Sequence, residues 1–144
     1  MTGQVPGLVL PAYYSYYDSP VKIVASPDGR VRVWRISAEG GWCDESDLFK
    51  EIVFAVGGEV FKRSAAEFVQ DVERYRAESL SGQGPIFALY ETVNGIVDSA
   101  RRERRPLTIE ERALVAGIRR RTFVMFEEQL MAAGDEAADP GLGG

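Results

Sequence analysis

The longest run of helix-spaced apolar positions lies between Leu107 and Met131, where Leu114, Val115, Ile118, Thr122, Met125, Phe126 and Leu130 fall on one stripe. Thr108, followed three residues on by Glu111, is a capping box: the hydroxyl accepts from a first-turn N–H and the carboxylate reaches back to the N–H of the cap. The pattern predicts a helix that starts at Thr108 and packs its stripe on a core. Phe123 and Val124 lie off the stripe, and Gly117 sits inside it, where glycine costs roughly 1 kcal/mol relative to alanine. A helix-turn-helix over 109–130 accounts for those residues in another way, with Gly117 in the turn and Arg119, Arg120, Arg121 and Thr122 opening a recognition helix. Arg112 at a position that is usually apolar weighs against it, as do Glu127 and Glu128, which would face phosphate. The single core helix is the favoured expectation.

Two further helices follow from the same spacing. Ser64 and Glu67 form a second capping box ahead of Ala65, Phe68, Val69, Val72 and Tyr75. Pro85 suits a first turn, and Ile86, Leu89, Tyr90, Val93, Ile96, Val97 and Ala100 match the helical template up to the stop at Pro106. Over 45–56, acids in a first turn ahead of Leu48, Phe49, Ile52, Val53 and Val56 predict a helix; the pair Gly57-Gly58 between apolar runs is the competing signal for a hairpin.

The pattern changes to period two at Val21–Ser37, where VKIVA and RVRVWRI flank the turn Ser26-Pro27-Asp28-Gly29. Residues 59–62 are a candidate third strand joining that hairpin. The fold class is therefore α+β, a small antiparallel sheet packed by three or four helices. Residues 1–20 are expected as an extended aromatic arm, 21–131 as a single domain, and 132–144, small, acidic and glycine-rich, as a disordered tail. In the arm, Tyr13, Tyr14, Tyr16 and Tyr17 serve either to seal the core or as a contact for a partner or for unpaired bases.

Composition removes several chemistries. The chain of 144 residues has no histidine and one cysteine, Cys43. Imidazole bases, histidine nucleophile dyads and thiolate zinc cages are excluded, no internal disulfide can form, and the glycines fit neither a P-loop nor a dinucleotide fingerprint. No cofactor or metal is implied. The net charge of −5 argues against a general coating of nucleic acid or membrane. Yet residues 101–121 carry eight arginines against Glu103, Glu110 and Glu111. Arg101, Arg102, Arg104 and Arg105, with Arg119, Arg120 and Arg121, exceed what a helix dipole asks for and are the candidate contacts for an anion or an acidic partner. No run is long enough for a membrane span or built as a signal peptide, so a cytoplasmic, membrane-free protein is expected. By elimination, the functional expectation is a non-catalytic binding or regulatory protein of inhibitor or escort type acting on a partner protein. A DNA-binding regulator using 109–130 and a small enzyme using carboxylate or tyrosine chemistry are the alternatives.

Overall fold

The computed structural model describes residues 7–55 and 57–144. Strands β1 (Ala12–Tyr16), β2 (Ser19–Ala25), β3 (Val31–Ile36), β4 (Trp42–Asp44) and β5 (Val60–Arg63) form one antiparallel sheet in the order β4-β3-β2-β1-β5. Helix α1 (Phe49–Val53) follows a single 3-10 turn, and α2 (Ala65–Ser79), α3 (Pro85–Arg102) and α4 (Ile109–Ala132) make the helical half. The α+β expectation holds.

The aromatic arm is an interior strand of the sheet. β1 pairs with β2 on one side and with β5 on the other, so residues 60–63 join β1 and not the hairpin of β2 and β3. The turn that makes this possible is Tyr17-Asp18, both at positive φ (48° and 65°), the primed hairpin geometry whose twist matches that of its strands. Without glycine, that turn carries little signal in the sequence. Strand alternation then separates the tyrosines. Tyr13 is buried on the helix side, its ring 4.8 Å from Phe68. Tyr14 and Tyr16 pack on the opposite face, with Tyr16 donating to Glu51 Oε1 at 2.8 Å, and Tyr17 is exposed at the turn. They do not share one surface.

Each face of the sheet has its own core. Tyr13, Trp34, Ile36, Trp42, Phe68, Val69, Val72 and Phe123 fill the space under α2 and α4. Ala12, Val21, Ile23 and Val33 meet Phe49 and Ile52 on the other face. The helix expected over 45–56 is thus shorter, a 3-10 turn at Ser46–Leu48 and α1, with Val56 outside the described residues.

Both capping boxes form. Glu67 N donates to Ser64 Oγ at 3.1 Å and Ser64 N to Glu67 Oε1 at 2.9 Å; Thr108 and Glu111 repeat the arrangement at 3.0 and 2.9 Å. Helix α4 runs unbroken through Gly117, and Phe123 is fully buried. The helix-turn-helix geometry is therefore absent. The buried face of α4 is Val115, Thr122, Phe123 and Glu127, rotated from the expected stripe, which leaves Leu114 half exposed.

The expected disordered tail is also corrected. Beyond α4 the chain turns back across the helix-side core: Asp135 Oδ2 accepts from Trp42 N at 3.1 Å, the Ala137 carbonyl accepts from Lys22 Nζ, and Asp139 N donates to Glu127 Oε1 at 3.0 Å. Its small residues allow close approach. A Cβ on Gly143 would sit 2.8 Å from the Phe123 ring.

Candidate functional site: an arginine-lined cleft over a buried ionic network

Glu73 lies four residues after Val69, Arg76 four after Val72 and Glu127 four after Phe123, so helical geometry carries all three onto buried faces. Neither Arg76 nor Glu127 has any exposed side-chain surface, and the same is true of Glu73. The Arg76 guanidinium donates through Nη1 to Glu73 Oε2 at 2.9 Å, through Nη2 to Glu127 Oε2 at 2.5 Å, and through Nε and Nη2 to the Gly40 carbonyl at 3.0 and 2.8 Å. The Phe126 ring centroid lies 4.1 Å from its central carbon, a cation–π contact. Gly40 meets a local requirement here. Its φ is +89°, and a Cβ would stand 2.6 Å from Phe126, so only glycine brings that carbonyl onto the arginine.

Further donors meet both carboxylates. Tyr90 OH donates to Glu73 Oε1 at 2.9 Å, and Trp42 Nε1 shares its proton between the Glu127 oxygens at 3.1 and 3.2 Å. Lys22 is buried 4.5 Å from the Trp42 ring centroid. Arg76 is the cation paired with both carboxylates, and Lys22, hydrogen-bonded to the Ala137 carbonyl, feels the charge of Glu127 at longer range. No buried side-chain polar atom of the described residues lacks a partner. Burial pushes the Glu73 carboxyl up, opposed by Arg76, Thr122 and Tyr90, and burial pushes the Lys22 ammonium down, opposed by Glu127. Burial and the Glu73 charge raise the Tyr90 phenol well above its ordinary value.

Above this network, α2, α3 and α4 enclose a cleft of about 300 Å³. Glu73, Tyr90 and Thr122 form its buried floor, and Ala77, Val93 and Val97 its apolar sides. Arg74, Arg101 and Arg119 line it together with Glu78 and Asp98. Arg74 leans on Asp71 at 3.3 Å and Arg101 on Asp98 at 3.5 Å. Arg119 differs. It is half-buried, and no carboxylate of the described residues approaches its guanidinium within 4.0 Å. Burial and the charge of Arg74 push its pKa down, against the pull of Glu73, Glu78 and Asp71.

The seven candidate arginines separate. Consecutive helical residues point about 100° apart, so Arg119 enters the cleft while Arg120 and Arg121 remain on the surface. Arg101 joins Arg119 at the cleft. Arg105 is engaged by Glu111 at 2.7 Å and Glu103 at 3.3 Å and ties down the turn between α3 and α4. Arg102 reaches Ser99 Oγ at 3.3 Å, and Arg104 occupies an exposed turn at φ 54°. Sequence reasoning missed Lys22, Glu73, Arg76 and Glu127. The signal available was a charged residue placed a helical turn beyond an apolar stripe position, or facing inward by strand alternation.

Among the described residues, no group of three or more acidic, cysteine or histidine side chains is placed to hold a metal ion, and no helix is long and apolar enough to cross a membrane. No family model matches the chain, and comparison with curated proteins and with solved structures likewise finds no match.

Proposed function

We propose that this is a non-catalytic binding protein, of inhibitor or escort type, which recognises a partner protein through the cleft of its helical layer. The observation carrying the proposal is Arg119, a half-buried guanidinium lining the cleft with no carboxylate of the described residues within 4.0 Å of it. Its nitrogens stay within reach of solvent, so a ligand carboxylate can dock on them and gain charge-assisted hydrogen bonds stronger than neutral ones. The carboxylate of Glu73 beneath the cleft is held in place on both oxygens, Oε2 by Arg76 and Oε1 by Tyr90, and it is buried, which favours a structural role for it. Duplex DNA is the poorer ligand for this surface: α4 is one helix, its arginines point in different directions, and Glu78 and Asp98 flank the cleft.

A photo-crosslinking amino acid at Asn94, an exposed position on the cleft, tests this in the soluble extract of the protein's own cells. A discrete protein adduct that disappears with Arg119→Glu is expected. Absence of any adduct, or adducts indifferent to Arg119, would remove the proposal.

A further inference from the structure

We infer that the cleft between α2, α3 and α4 takes a carboxylate carried on a short apolar stem, with Arg119 as the anchor of the carboxylate. This deepens the proposed function and rests on the same cleft as the recognition site.

Three observations select that chemistry. The guanidinium of Arg119 presents a planar fork that a carboxylate meets with two parallel hydrogen bonds. Its partial burial weakens competition from water, and no carboxylate of the described residues lies within 4.0 Å of that fork. Next, Glu78 and Asp98 lie on the same cleft, and Arg74 and Arg101 are already drawn to acids. One further negative charge is complemented by Arg119; a phosphate dianion would be opposed by the acids around it. Finally, Ala77, Val93 and Val97 line the same cleft with apolar contact, in a volume of about 300 Å³ that accommodates one side chain. A glutamate side chain of a partner has this form, and butyrate reproduces its stem and charge.

Butyrate is the simplest probe, with inorganic phosphate and butylammonium as comparisons. NMR titration of the full-length, isotope-labelled protein follows the Arg119 Nε–H signal and the amides of Val93, Val97 and Thr122. The expected result is saturable movement of these signals with butyrate, at a dissociation constant on the order of millimolar, and little movement with the other two probes. Arg119→Ala should weaken binding at least tenfold while amide shifts away from the cleft stay in place, and Arg119→Lys should retain part of the affinity. Butyrate that leaves the cleft signals unmoved overturns the inference, as does equal binding of phosphate or unchanged affinity in Arg119→Ala. The two proposals separate experimentally. A partner adduct at Asn94 that needs Arg119, without butyrate binding, removes the ligand class and keeps the binding protein; butyrate binding without any protein adduct does the reverse.

Discussion

Arg76 Nη2 lies 2.5 Å from Glu127 Oε2, joining α2 to α4 at a point where neither side chain meets solvent. Such a pair adds little stability relative to apolar residues of the same shape, because removing both charges from water offsets their attraction. Breaking it is a different matter. Arg76→Met leaves Glu73 and Glu127 as buried carboxylates without their cation and deprives Gly40 of its donor, so a loss of about 3–5 kcal/mol is expected in urea denaturation. Adding Glu73→Gln and Glu127→Gln to that variant should recover part of the loss. A triple variant no more stable than Arg76→Met would show that packing, not uncompensated charge, sets the cost.

The returning C-terminal segment closes the same network from the opposite side, through Asp135 on Trp42, Ala137 on Lys22 and Asp139 on Glu127. Deleting residues 135–144 should uncover Trp42 and move its fluorescence emission to longer wavelength, with a lower Tm. Gly143→Ala provides a gentler probe: its Cβ would fall 2.8 Å from Phe123 Cδ1 and 3.1 Å from Val124 Cγ2, an overpacking expected to cost about 1–3 kcal/mol. A wild-type melting curve in both variants would mean that the segment contributes nothing to the fold.

What was legible in the chain followed from local chemistry. Ser64 with Glu67 and Thr108 with Glu111 started α2 and α4 as their spacing indicated, and alternation placed β2 and β3. The features that escaped depend on distant partners. Tyr17-Asp18 adopts a primed turn without glycine because pairing on both sides of β1 holds it there. The tail resembles a disordered segment in composition, yet its small residues are what let it reach Phe123 and Trp42. Arg119 could be picked out with Arg120 and Arg121 as a basic cluster, but only the packing of α4 against α2 and α3 distinguishes the one inside the cleft.

Glu111 makes a pH-dependent contribution to stability with a definite sign. Arg105 first, and the backbone and hydroxyl of Thr108 after it, hold its carboxyl down to about 2 from the ordinary 4.5. Between those values the unfolded chain binds the proton more readily than the folded one, so stability rises with pH across the window. The contribution is complete above pH 4.5 and disappears as the pH falls through about 2. Glu111→Gln should therefore lower Tm at pH 6 and converge with wild type near pH 2. A gap between the two that stays constant over that range would contradict the assignment.

Gly117 offers a direct test of α4 as one continuous helix. Its φ is not among the positive values, and a Cβ there would meet only the end of the Arg120 side chain, at 3.5 Å. Nothing in the packing requires glycine, and the residue lies in the middle of a helix of 24 residues. Gly117→Ala should then stabilise the protein by about 0.5–1 kcal/mol, because alanine loses less backbone entropy on entering a helix. A turn at this position would reverse the sign, since a left-handed backbone penalises a Cβ. Denaturation midpoints of the two proteins at equal m-value decide between them. A destabilised Gly117→Ala would overturn the unbroken helix and restore the case for a recognition helix beginning at Ile118.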